Sequence, residues 1–171
     1  MEEQEMENSA LVVIDLQNDI TKNYKEIIER VNLAIDWAVQ NKLWVVYIQH
    51  NNLSLKTRTF KPGSHGAEFV PELNIVSNHI YTKSKSNALT SDAFKAFIQG
   101  HGISDFYVVG ADAAACIKST CYNMTKSGYS VSVLSDCITS YDKKKLPEMF
   151  AYYKSKGCEV LALQEVRNEH E

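Results

Sequence analysis

ALVVIDLQNDI, residues 10–20, decides how the chain is read. From Ala10 to Leu16 the side chains are apolar and largely β-branched, interrupted only by Asp15. A strand with one wet face alternates apolar and polar residues, so an unbroken run predicts a strand buried on both faces, as in a helix-covered parallel sheet.

Working outward, the same pattern returns between helices. Residues 24–42 place Ile27, Ile28, Val31, Ile35, Ala38 and Val39 at helical spacing, with Lys25, Glu26, Glu29, Arg30 and Asp36 between them, which predicts an amphipathic helix. LWVVYIQ (43–49) reads as a second buried strand and HIYTK (79–83) as a weaker third. TSDAFKAFIQ (90–99) reads as a helix capped by Thr90 or Ser91, and DFYVVGA (105–111) as the fourth strand. A helix near 114–127 closed by Gly128, a strand YSVSVLS (129–135), a helix over 146–156 closed by Gly157, and a last strand CEVLALQ (158–164) complete the series. The alternation predicts an α/β fold, a three-layer α/β/α Rossmann-like domain with a six-stranded parallel sheet, for which the order expected is the common 3-2-1-4-5-6.

With 171 residues, 44% of them hydrophobic, and three prolines, the chain fits one domain over 1–171. Residues 1–8 are expected to be flexible. Residues 50–78, with Pro62, Gly63, Gly66 and Pro71 and little periodicity, are expected to form an active-site loop region. The net charge of −3 arises from 18 basic and 21 acidic side chains mixed along the chain, so no basic stripe predicts a nucleic-acid partner. The apolar runs fall far short of the roughly 20 residues that cross a bilayer, so no membrane partner is expected. The four cysteines contain no CxxC pair, and MEEQEMENS lacks the positive start and apolar core of a signal peptide, which predicts a reduced, cytoplasmic protein.

In such a sheet, ligands bind beyond the carboxyl ends of the strands where the strand order reverses, here at the ends of the first and fourth strands. Asp15 and the segment leading to Cys116 meet there. No glycine fingerprint follows the first strand, so no dinucleotide and no other cofactor is expected. Taken alone, Asp15 is either a proton carrier in a partly dry setting or a turn residue. Cys116, at a helix start, is either a thiolate nucleophile favoured by unpaired N–H groups and the helix dipole or a small buried residue beside three alanines. Lys83 and Lys85 share one face of the third strand, and their spacing does not choose between them. His50, His65, His79 and His101 show neither an HxH nor an Asp-x-His arrangement, so no metal site is expected.

Four stretches, in order and covering nearly the whole chain, resemble the isochorismatase-like cysteine hydrolases, whose superfamily includes nicotinamidases and N-carbamoylsarcosine amidohydrolases. ALVVIDLQNDI resembles that family's hydrophobic strand followed by D-x-Q-N-D-F. FKPGSHGAEFVPEL (60–73) resembles P-G-T-x-G-x-E-x-x-P-E-L, and YTKSKSNAL (81–89) resembles K-x-x-x-S-A-F in a register that selects Lys83 over Lys85. VVGADAAACIKSTCYNMTKSGYSVSVLSDC (108–137) is similar to G-x-x-T-x-x-C-V-x-x-T-x-x-x-A-x-x-x-G-Y-x-V-x-V-x-x-D-A.

The resemblance implies a catalytic triad of Asp15, Lys83 and Cys116, with Asp15 moving the proton, Lys83 stabilising the thiolate and Cys116 attacking a carbonyl carbon. It implies a cis peptide at Ala111–Asp112, an oxyanion hole from the backbone N–H groups of Asp112 and Cys116, and a homo-oligomer, dimer or tetramer. Ile20, Leu89, Ala113, Asn123 and Met124 depart from the family pattern. Gln17, Ile20, His50, Arg58, His65, Leu89 and Ala113 are the substrate-pocket candidates. Lys56, Arg58, Lys61 and His65 form a cationic stretch that could pair a substrate carboxylate.

Nicotinamidases hold a divalent ion with Asp-x-His and a further His, whereas YIQHNNLSLKTRTF (47–60) offers His50 without such a partner, so the resemblance implies no metal here. Isochorismate cleavage at its vinyl ether does not need the cysteine. Cys116 therefore points to hydrolysis of a small amide or carbamoyl C–N bond through a thioester, ahead of a vinyl-ether hydrolase or a non-catalytic binding module on the same fold.

Overall fold

Every residue of β1 (Ser9–Ile14) is buried, and its side chains divide between two cores. Leu11 and Val13 enter one apolar layer, whereas Ala10, Val12 and Ile14 enter the other, as the two-residue period of a strand requires. The computed structural model describes residues 8–169, so the flexible start expected over 1–8 lies, apart from Asn8, outside the described residues. The other strands are β2 (Trp44–His50), β3 (Ile80–Lys83), β4 (Asp105–Ala111), β5 (Ser130–Thr139) and β6 (Glu159–Leu161). They form one six-stranded sheet, all parallel, in the order β3-β2-β1-β4-β5-β6.

The first layer is built on α1 (Ile28–Gln40), the second on α2 (Asp92–His101), α3 (Cys116–Lys126) and α4 (Leu146–Ser155). Ser91 caps α2, its side chain accepting from the Phe94 N–H, so of the two residues expected as the cap it is Ser91 that serves. No helix among the described residues is long and apolar enough to cross a membrane.

The chain's last segment departs from expectation. The strand expected over 158–164 covers only Glu159–Leu161, and α5 (Leu163–Glu169) follows it. Leu163 and Val166 are fully buried in the α1 layer, and the Leu163 N–H donates to Asp136 Oδ1 at 2.9 Å. Alternation in CEVLALQ matches a strand, but burial on the far side of β5 decides the conformation of its second half.

Residues 51–79 run beyond the ends of β1 and β2, and the turn after β1 holds them in place. Gln17 is fully buried: its Nε2 donates to His50 O and Ala67 O, both at 2.8 Å, and its Oε1 accepts from the His50 N–H at 2.9 Å. The Asn18 N–H donates to Glu68 O at 2.9 Å, and Asp19 Oδ2 accepts from the Phe60 N–H at 2.6 Å. Gln17, a substrate-pocket candidate by sequence, commits its amide to three backbone groups and so braces the loop.

β1 and β4 approach closely at the end that faces the site. Gly110 has φ +117°, and a Cβ there would stand 2.2 Å from the Ile14 carbonyl oxygen. Gly110→Ala therefore combines a backbone clash with a disfavoured φ, and urea unfolding should show a loss of about 3 kcal/mol or more. A loss below about 1 kcal/mol would mean that the two strands can separate here without cost.

Candidate active site

Three strand or helix ends converge on one ammonium group. Asp15 follows β1 with φ 57°, a left-handed conformation that aspartate tolerates better than most residues, and its N–H donates to Ile48 O at 3.1 Å. Lys83 ends β3 opposite His50 of β2, and Cys116 is the first residue of α3. Lys83 Nζ lies 3.1 Å from Asp15 Oδ2, 3.2 Å from Cys116 Sγ and 2.7 Å from His50 Nδ1. The side chains of the Lys83–Asp15 pair are 0% and 2% exposed. Lys85 is exposed, so burial separates the two lysines that their spacing left equivalent.

Removing two charges from water costs several kcal/mol per ion unless close pairing and further hydrogen bonds offset it. Lys83 meets that condition through its three partners, but Asp15 does so only on one side. Its Oδ1 is buried without a hydrogen-bond partner among the described residues.

Burial, and after it the Asp15 charge, push the Cys116 thiol up to about 12, although Lys83 pulls the other way. Both causes act against the helix start, whose pull toward a thiolate is one of the two readings open for Cys116 in the sequence. A helix end carries only a partial charge, whereas desolvation and a full carboxylate charge both oppose the thiolate. The resting group is a protonated thiol beside an ion pair.

The peptide bond Ala111–Asp112 is cis, as the resemblance implied. The N–H groups of Ala115 and Ile117 both donate to Asp112 O at 3.1 Å. Cys116, between them, opens α3, where backbone N–H groups have no acceptor within the helix. Burial alone would raise the Asp112 pKa, but hydrogen bonds from the Tyr141 and Ala114 N–H groups and the Ser140 and Tyr24 hydroxyls hold it below the usual carboxylate range. Its side chain thus pins the segment before Cys116 to the residues that follow β5 and to the segment leading into α1. Tyr24 and Ser140 carry no local signal of this role, because Asp112 is 88 and 28 positions away from them.

Of the pocket candidates, His50 alone bonds the Lys83 ammonium among the described residues. His65 is 83% exposed and pairs with Glu68 at 3.4 Å. Lys56 and Arg58 are exposed, and Lys61 Nζ bonds Ser54 O. Ile20 packs on the first core, and Leu89 is buried in the second. Ala113 is fully buried, its N–H donating to Thr139 O at 2.9 Å and its carbonyl accepting from Tyr153 Oη, so it supports the segment from within.

Residues 9–165 match the family model described as Isochorismatase domain. The chain belongs to the isochorismatase family, a family of hydrolases. An Arabidopsis thaliana protein named "probable inactive nicotinamidase" is 27% identical over 155 residues, covering 75% of this chain and 79% of that one. The fold is shared with a cysteine hydrolase from Pseudomonas syringae, at 16% identity with a TM-score of 0.85 over 96% of this chain and 92% of that one. It is also shared with the pyrazinamidase of Pyrococcus horikoshii in complex with zinc, at 21% identity with a TM-score of 0.80 over 91% and 99%.

The zinc in that relative raises the question of a metal in this family member. Asp15, His50 and Cys116 each offer a ligand atom within 4.8 Å of the others. All three, however, already bond the Lys83 ammonium, and His50 Nε2 lies 2.7 Å from Asn52 Oδ1. A divalent cation would face a buried positive charge at the centre of its own donors, so this set does not fit a metal.

Two outcomes follow for Cys116. Alkylation by iodoacetamide, followed by peptide mass spectrometry, should rise about tenfold per pH unit from pH 7 to 10 without the plateau of an ordinary thiol near 8.5. Asp15→Asn removes a charge that opposes the thiolate and should speed alkylation at pH 8; a slower rate would contradict the assigned cause of the raised pKa.

Proposed function

We propose that this isochorismatase-family hydrolase cleaves the C–N bond of a small amide or carbamoyl compound through a thioester on Cys116, with Asp15 and Lys83 completing the triad and no metal taking part. The observation that carries the reading is the single buried ammonium bonded to both a carboxylate and a thiol.

Because the resting thiol is protonated, its proton passes to Asp15 as Sγ attacks the carbonyl carbon, and Oδ1 has no competing hydrogen bond. Lys83 stabilises the charge that grows on sulfur. The backbone N–H groups of Asp112 and Cys116 receive the oxyanion. As the tetrahedral intermediate collapses, the C–N bond breaks, Asp15 returns the proton to the departing nitrogen, and an acyl or carbamoyl thioester remains. Asp15 then takes a proton from water, whose oxygen attacks the thioester carbon. The C–S bond breaks, the acid leaves, and the proton restores the thiol.

The absence of a metal from this scheme rests on the donor set that Lys83 already fills. Four free cysteines, three of them buried, are compatible with a reducing, cytoplasmic setting. The family resemblance supports a homo-oligomer, dimer or tetramer, acting on a small molecule.

Intact-mass spectrometry of the protein incubated with a panel of small amides and carbamoyl compounds should reveal a thioester adduct on Cys116. Cys116→Ala and Asp15→Asn should each reduce turnover by about a hundredfold or more, and dialysis against EDTA should leave it unchanged. Turnover that survives in Cys116→Ala would remove the nucleophile, and the absence of both adduct and turnover across the panel would favour a binding module.

A further inference from the structure

We propose that His50 is a positioning residue for Lys83: its Nδ1 occupies one of the three ammonium N–H bonds and thereby holds the other two on Asp15 and Cys116. The inference rests on the triad reading above and extends it to a residue outside the triad.

An ammonium has three donors, no acceptor and free rotation about the Cε–Nζ bond. Around Lys83 Nζ stand three acceptors, one from each of three elements, and the closest is His50 Nδ1 at 2.7 Å. Nδ1 can accept only when its lone pair is free, which puts the ring proton on Nε2. There it meets Asn52 Oδ1 at 2.7 Å. Asn52 is itself oriented, because its Nδ2 donates to Thr59 O at 2.9 Å and turns Oδ1 toward the histidine. Residues 52–59 therefore choose the histidine tautomer, and the histidine fixes the rotation of the lysine.

The backbone of His50 is clamped at both ends by Gln17, and its ring packs 5.8 Å from that of Phe60. The charged and titratable groups around the ring are Lys83 of β3, Asp15 after β1 and Cys116 of α3. Burial and Lys83 favour the neutral ring, against the opposing pull of Asp15.

The unpartnered Asp15 Oδ1 shows what this bond prevents. A buried ammonium that lost one acceptor would turn to the nearest free one. Movement of Lys83 onto Oδ1 would take its N–H away from the sulfur and occupy the atom that receives the thiol proton. With His50 in place, the ammonium is satisfied without Oδ1.

The test compares two side chains of similar size. In His50→Asn the amide oxygen stands near the position of Nδ1 and can still accept, whereas His50→Leu cannot. Alkylation of Cys116 across pH 7–10 needs no substrate, so it reads the position of Lys83 even if no amide is turned over. At pH 9 the Leu variant should react about tenfold more slowly than wild type, equivalent to a rise of about one unit in the thiol pKa, and the Asn variant within about twofold of wild type. With an amide substrate in hand, the Leu variant should lose kcat at unchanged KM and the Asn variant should recover it.

Asn52→Leu leaves the imidazole but removes the group that selects its tautomer, and should slow alkylation in the same direction. It serves if the Leu replacement at position 50 does not fold. Equal rates in the Asn and Leu variants, or a raised KM in both with kcat retained, would overturn the positioning role. An alkylation difference of the expected sign without any thioester would leave that role standing and overturn the amidohydrolase reading instead.

Discussion

One buried ammonium organises the candidate site. Lys83 has no exposed side-chain surface, so each of its three N–H groups must find an acceptor inside the protein, and these come from the ends of β1 and β2 and the start of α3. A charge in that position is stabilising only while all of its partners stay in place. The geometry of Asp15, His50 and Cys116 is therefore a single constraint shared among three elements.

The surrounding fold keeps those elements in register. Gly110 lets β4 run against β1 without a side chain between them, so the segment leading to Cys116 reaches the end of the strand that carries Asp15. Gln17 ties both backbone groups of His50 to Ala67, and Asp112 ties the segment before α3 to Tyr24, Ser140 and Tyr141. The Gln17 amide, a pocket candidate in the sequence, serves this bracing. The site thereby presents a thiol, a carboxylate oxygen and backbone N–H groups held by rigid neighbours.

The electrostatics of the site suit the proposed covalent chemistry in a way that a free thiolate would not. A permanently ionised sulfur beside Asp15 would place two negative charges together in a dry site, and burial first, then the Asp15 charge, push the thiol pKa up. In the proposed reaction, keeping the proton on sulfur until attack leaves the resting site with one ion pair and no excess charge. On that proposal the same proton is then available for the leaving nitrogen.

Much of the framework was legible in local pattern. The continuous apolar run of β1, the helical spacing after it and their repetition identify a parallel, helix-covered sheet, and the strand ends point to Asp15 and Cys116. The motif register separates Lys83 from Lys85. Local pattern failed where long-range burial overrides it: α5 replaces the second half of an expected strand because Leu163 and Val166 enter the α1 layer. It failed again for the protonation state of Cys116, which depends on a charge 101 positions away in the chain, from Asp15 to Cys116. The sequence by itself determined the parallel, helix-covered sheet and pointed to Asp15 and Cys116, because these follow from periodicity and from residue type at strand ends, whereas Lys83 came from the family resemblance. Only the tertiary structure decided that Gln17 and Ala113 brace the scaffold, that the thiol rests protonated and that His50 shares the lysine, because each depends on distances and burial between residues far apart in the chain.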